Sequence, residues 1–170
     1  QFSDTHCERK LRNEERLVEL VNSLNADIVV FTGDSLNRSA SLETFRTMLS
    51  RMKARHGKYA VRGNFDCWLW DRLDLFGGTG FVELAGKREM IDIDGTKVAV
   101  AGASCMNPEA YEKLLDGVPE GAFSVFLYHY PDLIEEVAAK GADLYLAGHT
   151  HGGQVALPFY GAMVTLARHG

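Results

Sequence analysis

The chain has 170 residues, 46% of them hydrophobic and 24% charged, with a formal net charge of -5, which fits one globular domain over residues 1–170. The acidic balance speaks against a nucleic-acid binder, which would carry a basic face, but not against phosphate chemistry, because bound cations reverse a local field. Three scattered cysteines, Cys7, Cys67 and Cys105, without a C-x-x-C spacing, argue against a disulfide framework and for a reducing compartment.

No stretch approaches the ~18 consecutive apolar residues of a membrane span, and nothing reads as a signal peptide. The chain opens at Gln1-Phe2-Ser3-Asp4-Thr5-His6, already inside a motif. The expectation is therefore a natural protein that begins earlier, with any anchor or export signal in the preceding piece. Location stays open between cytoplasm and membrane surface.

Polar residues dominate positions 8–16, and Leu17, Leu20, Val21 and Leu24 then mark one helical face. Residues 26–31 form a short apolar run ending in Thr32-Gly33-Asp34, the pattern of a buried parallel strand. Leu42, Phe45, Leu49 and Met52 return to helical spacing, with His56-Gly57 as the expected stop of that helix. A second strand over 58–62 runs into Gly63-Asn64-Phe65-Asp66. Residues 88–93 and 96–101 flank Asp94-Gly95, a strong hairpin signal. After a helix around 108–115, a strand over 123–128 delivers His129. A helix over 131–140 precedes a strand over 142–147, which delivers Gly148-His149-Thr150-His151. Strands alternating with helices, interrupted by one hairpin, predict sheets covered by helices with mixed strand directions in the second half.

The residues of chemical interest follow strand ends, where loops converge on one crevice in open α/β sheets. Four of the six histidines, His6, His129, His149 and His151, lie directly beyond an apolar run, as do Asp4, Asp34 and Asn64. A single histidine there is ordinarily structural; seven such groups together are not. Imidazole, carboxylate and amide oxygen without thiolate suit divalent ions such as Mn²⁺, Fe²⁺ or Zn²⁺.

Asp4-Thr5-His6, Gly33-Asp34, Gly63-Asn64-Phe65-Asp66, His129 and Gly148-His149-Thr150-His151, in this order, resemble the five signature segments of the calcineurin-like metallophosphoesterases, over residues 3 to about 158. The continuation Gly152-Gly153-Gln154 and Leu157-Pro158 looks like a bacterial branch of membrane-associated phosphoesterases, related to enzymes that cleave a UDP-linked acylated sugar. The resemblance implies a four-layer α/β/β/α sandwich of two mixed sheets flanked by helices. Related chains continue past residues 160–170 with further strands, so this chain is expected to lack its terminal strands. The family pattern assigns Asp4, His6 and His151 to one metal and Asn64, His129 and His149 to a second, with Asp34 bridging. Mn²⁺ is the first choice of ion. Asn64, His149 and Asp66 are the residues it assigns to the catalytic step, in which a hydroxide shared by the metals attacks phosphorus in line with the leaving group. The implied substrate is a small phosphodiester, nucleotide-sugar or lipid phosphate, with peripheral membrane contact and no nucleic acid; the oligomeric state is left open.

One position departs from the family. The common third segment is G-N-H-D, whose histidine protonates the leaving oxygen, and here that position is Phe65. Two readings follow: a catalytically weakened metal-binding scaffold, or an enzyme whose leaving group needs no proton. A phosphate monoester has a second pKa of ~6 and departs as an anion, so the second reading points to a phosphodiester or diphosphate bond. A phosphomonoesterase or protein phosphatase is the alternative that Phe65 opposes. Asp66 loses the histidine it would orient and could serve instead as a helix cap.

Arg38 could reach a phosphate with a planar fork, or be a solvated loop residue. Cys7 and Cys67 each follow a motif segment and are expected to be small buried apolar residues. Trp68, Leu69, Trp70, Leu73, Leu75 and Phe76 form an apolar cluster that is either core or a greasy wall for an acyl chain or membrane. His56 and His169 are assigned no role.

Overall fold

A computed structural model describes residues 1–10, 13–151, 155–157, 161–164 and 167. Gly152-Gly153-Gln154, Pro158 and His169, singled out in the sequence, lie outside the described residues.

The elements in chain order are α1 (Glu14–Ser23), β1 (Ile28–Phe31), α2 (Leu42–Arg51), β2 (Gly57–Ala60), α3 (Asn64–Leu69), β3 (Val82–Glu83), β4 (Lys87–Ile93), β5 (Thr96–Gly102), α4 (Tyr111–Asp116), β6 (Phe123–Leu127), α5 (Ile134–Ala139), β7 (Leu144–Leu146), β8 (Val155–Leu157) and β9 (Gly161–Val164). One sheet has the order β1-β2-β3, all parallel; the second has the order β4-β5-β6-β7, with β4 antiparallel and the rest parallel. β8 and β9 pair antiparallel.

Side-chain alternation along each strand explains the layering. From β1, Ile28 and Val30 meet Val98 and Val100 of β5 and Val125 and Leu127 of β6, so the two sheets share an inner core. Val29 and Phe31 point the other way, onto Val18 of α1 and Phe45, Met48 and Leu49 of α2. On the far side, Ala101, Phe126 and Tyr128 pack with Leu115 of α4 and Val137 of α5. The parallel strands read as continuous apolar runs because both faces are covered. The four-layer α/β/β/α arrangement is as the sequence predicts.

Two details differ. The described strands of the first sheet are all parallel rather than mixed, and helices or long crossovers join them, the connection that parallel neighbours require. The expected helix stop at His56-Gly57 is also wrong. The helix ends at Arg51, Met52 is extended, and Gly57 begins β2 opposite Ile28. The hairpin does turn at Asp94-Gly95, with φ of 51° and 88°, the pair of positive values that a two-residue primed turn requires.

The chain before α1 completes the first sheet's edge. Phe2 bridges Phe31 in parallel and Cys7 bridges Leu36. Between them, Asp4 N–H donates to the Gly33 carbonyl at 2.8 Å and His6 N–H to the Asp34 carbonyl at 3.1 Å. This pairing sets Asp4 and His6 beside the loop that carries Asp34.

Candidate metal centre

The C-terminal ends of β1, β2, β6 and β7 open at one edge, and the loops there carry Asp34, Asn64, His129 and His149 with His151. All seven residues singled out as ligands come together. All seven are tied by the contacts that follow, and His6, Asp34, Asn64, His149 and His151 line a crevice of about 390 Å³ together with Phe65 and Asn37.

Asp34 lies at the centre. It is 2% exposed, its Oδ1 accepts the Phe65 N–H at 3.0 Å, and its Oδ2 lies 3.6 Å from the Nε2 of both His6 and His129. One carboxylate oxygen thus faces an imidazole nitrogen on each side, the geometry of a bridging ligand. Burial first, and the neighbouring Asp66 charge second, push the Asp34 carboxyl up to about 6. Asp4 accepts the His149 N–H at 3.0 and 3.2 Å and its Oδ1 lies 3.3 Å from His151 Nε2. The His6 and His151 rings stack at 5.2 Å. Possible ligand atoms of Asp4, His6 and His151 lie within 4.8 Å of one another, and so do those of Asp4, Asp34 and His129.

The donor chemistry fits a cation. His129 is fully buried, and burial lowers its pKa, so the ring is neutral and carries one N–H. Its Nδ1 stands 2.8 Å from the Thr32 carbonyl, which can only accept, so the proton is on Nδ1. The Nε2 lone pair then faces the Asn64 side-chain amide at 3.0 Å and the Asp34 carboxylate at 3.6 Å, turned toward the centre of the group where a cation would sit. His6 Nδ1 is likewise buried without a hydrogen-bond partner among the described residues. The Nδ1–H to carbonyl contact is the usual way a ligating histidine is oriented.

The backbone shows the cost of assembling the group. Seven described non-glycine residues have positive φ, and five of them are Asp4 (53°), His6 (41°), Asp34 (59°), His149 (74°) and His151 (51°). Such conformations cost energy and collect at functional sites. Two glycines make the close approach feasible. A Cβ on Gly33, whose φ is 104°, would stand 2.6 Å from both Gly63 Cα and His129 Nδ1. A Cβ on Gly63 would fall on Asp34 itself.

Asp66 is not among the residues that line the crevice, and its contacts hold the surrounding loops together. It is fully buried, and its carboxylate accepts N–H groups from Asp34 at 2.9 Å, Ser35 at 2.9 Å and Gly63 at 3.0 Å, together with the Ser35 hydroxyl. The bond to Gly63 is half of a capping box at the start of α3. The other three lock the Asp34 loop to the Asn64 loop.

Arg38 is exposed and outside the crevice wall; its neighbour Asn37 lines the wall and donates to Glu8 Oε1 at 2.9 Å. Tyr130, not among the candidates from sequence, packs edge-on against His149 at 4.5 Å and His129 at 5.4 Å; its only sequence signal is adjacency to His129. Cys7 is fully buried among apolar groups, as expected. The Trp68 cluster divides: Leu75 and Phe76 are core, and Trp70 is anchored by its indole N–H to the Leu36 carbonyl. Trp68 and Leu69 are 68% and 54% exposed, and Phe65 37%. These three occur at i, i+3 and i+4 on α3, one stripe continuous with the crevice wall.

Residues 1–153 match the family model for calcineurin-like phosphoesterases. The chain is 30% identical to an uncharacterized metallophosphoesterase, YkuE, of Bacillus subtilis, covering 97% of this chain and 62% of that protein. It is 31% identical to an uncharacterized metallophosphoesterase of Aquifex aeolicus, over 89% of this chain and 61% of the relative. A transmembrane protein with a metallophosphoesterase domain from Danio rerio is 28% identical over 83% of this chain and 36% of its own length. The chain thus spans about three fifths of the bacterial relatives. Among solved structures, a protein of unknown function from Aquifex aeolicus aligns with a TM-score of 0.43 at 14% identity, over 95% of this chain and 80% of that one.

Proposed function

The chain belongs to the calcineurin-like phosphoesterase family, and from that premise we propose that it is a metal-dependent hydrolase of a phosphodiester or diphosphate bond whose substrate carries an apolar, lipid-like group. The observation that carries the metal dependence is the convergence of possible ligand atoms, within 4.8 Å of one another, from Asp4, His6 and His151 and from Asp4, Asp34 and His129. Asp4, His6 and His151 would hold one divalent ion and Asn64, His129 and His149 a second, with Asp34 shared. Mn²⁺ is the first candidate, with Fe²⁺ and Zn²⁺ as others. Such ions supply Lewis acidity and a nucleophile available at neutral pH.

The remaining chemistry belongs to the chain's own side chains. Phe65 packs edge-on against His6 at 5.1 Å and offers no proton to a departing oxygen. This supports a leaving group that departs as an anion, as a phosphate monoester with a second pKa of ~6 does. An alkoxide from a simple monoester would need the missing acid. Asn37 presents an amide to the crevice mouth, suited to a phosphoryl or sugar oxygen. Phe65, Trp68 and Leu69 present apolar surface beside it, which supports an acylated substrate or contact with a membrane surface. Among the described residues no helix is long and apolar enough to cross a membrane.

Elemental analysis of the purified chain, then assays after reconstitution with Mn²⁺, Fe²⁺ or Zn²⁺, tests the reading. Turnover of bis-p-nitrophenyl phosphate and of UDP-sugars should exceed that of p-nitrophenyl phosphate. Failure to take up metal together with no turnover of any of the three would retire it.

A further inference from the structure

An imidazole holds a metal only when its ring is aimed, and the last torsion of a histidine side chain is intrinsically broad. His129 is aimed by full burial and by its Nδ1–H bond to the Thr32 carbonyl. His149 is only half-buried and stands in left-handed backbone with φ of 74°, so its ring needs a wall. Tyr130 supplies one, with ring centroids 4.5 Å apart and planes at 65°, the edge-on packing that aromatic rings favour. The same ring meets His129 at 5.4 Å and 71°, and the two histidines meet each other at 5.1 Å and 71°. The three rings brace one another, and His129 and His149 are two of the three side chains that would hold the second ion.

Tyr130 is itself held. Pro131 confines the residue before it to extended backbone, and Tyr130 sits there at φ -83° and ψ 146°. The Tyr145 hydroxyl donates to the Tyr130 carbonyl at 2.5 Å. Tyr145 lies on β7 opposite Phe126 of β6, with the two rings stacked at 5.9 Å. The Gly148 N–H donates to the His129 carbonyl at 2.9 Å. These bonds staple the loops after β6 and β7 together, and Tyr130 reaches from the outer core of the second sheet to the rim of the centre.

We propose that Tyr130 is a positioning residue for the second metal ion: its ring, rather than its hydroxyl, holds the His149 imidazole in place as a ligand. The inference rests on the metal-dependent reading above and adds a residue that the donor set leaves out. Phe65 gives the first half of the centre a comparable brace, edge-on against His6 at 5.1 Å. Phenylalanine at position 130 keeps the flat edge that His149 rests on. Leucine keeps an apolar contact without that edge, so the His149 ring is free to turn while Asp4, His6 and His151 stay as they are.

The wild type, Tyr130→Phe and Tyr130→Leu are stripped with chelator, titrated with Mn²⁺ in a calorimeter, then desalted for elemental analysis. The wild type and Y130F should take up both ions of a two-metal centre. Y130L should bind the first ion as the wild type does and the second ~10–100-fold more weakly, the loss usual when a residue supporting a ligand is removed. Melting in chelator separates packing from positioning, because a merely structural role would lower the melting temperature and weaken both ions alike. Wild-type affinity for both ions in Y130L, parallel weakening of both, or a loss in Y130F equal to that in Y130L would overturn the proposal and leave the metal-dependent reading standing. A wild type that takes up a single ion would do the same, and one that takes up none would overturn both.

Discussion

Replacing Asp34 with Asn should make the metal-free protein more stable while destroying its ability to hold metal. Burial and the Asp66 charge raise the carboxyl from its ordinary value of 3.8 to about 6. Between pH 3.8 and about 6 the native state therefore binds more protons at this site than the unfolded state. On this group's account, stability is fully present below pH 3.8 and is lost as pH rises through about 6. At pH 7.5 the buried charge costs about 3 kcal/mol, taking ~1.4 kcal/mol for each tenfold change in the protonation equilibrium. Asn escapes that cost. Its Oδ1 can keep the Phe65 N–H, and its amide can donate to the His129 Nε2 lone pair that faces Asp34. For a domain of this size, ~2–4 °C per kcal/mol gives D34N a melting temperature roughly 6–12 °C above the wild type in chelator at pH 7.5. The gap should shrink through pH 6 to 4 and vanish near pH 3.5, where both side chains are neutral. Added Mn²⁺ should raise the melting temperature of the wild type only. A D34N protein that melts lower than the wild type in chelator, or a gap that does not change with pH, would refute the reasoning.

Asp66→Asn removes two acceptor positions from a carboxylate that takes four donors, so it should destabilise the fold by roughly 2–4 kcal/mol in urea unfolding. By loosening the Asp34 and Asn64 loops it should also weaken metal binding ~10–100-fold in a calorimetric titration. Phe65→His restores a proton donor at the crevice; turnover of alkyl phosphate monoesters should rise at least ~10-fold, with little change on diphosphates, and equal gains on both would contradict the leaving-group reading. Trp68→Ser with Leu69→Ser alters exposed side chains, so stability should stay within ~0.5 kcal/mol. Binding to phospholipid vesicles should fall in a sedimentation assay while turnover of bis-p-nitrophenyl phosphate holds; undiminished vesicle binding would remove the apolar stripe from the proposal.

The fold was legible wherever a local period carried it. Ile28-Val29-Val30-Phe31 reads as a doubly covered strand because both of its faces meet apolar layers, and Asp94-Gly95 reads as a turn because the backbone there needs positive φ. His56-Gly57 misled because a glycine after a helical stretch signals a stop only when the helix extends that far, and here the chain leaves the helix five residues earlier, at Arg51. The Trp68 cluster was ambiguous for a related reason. Hydrophobicity says that Trp68 and Leu75 both favour burial, but only the packed fold leaves Trp68 on the outer face of α3, 68% exposed, and sets Leu75, in the chain beyond that helix, fully into the core.

The site divides along the same line. Local pattern was enough to pick out the candidate set of Asp4, His6, Asp34, Asn64, His129, His149 and His151: most of them follow apolar runs, and parallel strands deliver their C-terminal residues to one edge. The resemblance of Gly63-Asn64-Phe65-Asp66 to the family's third segment is what marked Phe65 as standing where a proton donor would. How these groups meet was settled by the packed fold. It set Asp34 Oδ2 between two imidazoles, turned His129 Nε2 toward Asn64, drew five of the seven into left-handed backbone, gave Asp66 four donors, and chose Asn37 over Arg38 for the crevice wall. The reason is one of range. Side-chain period reports which face of an element is apolar, whereas these contacts, the local Gly63–Asp66 bond apart, join residues about 30 to nearly 100 positions apart, and their geometry is set by strand register and sheet packing.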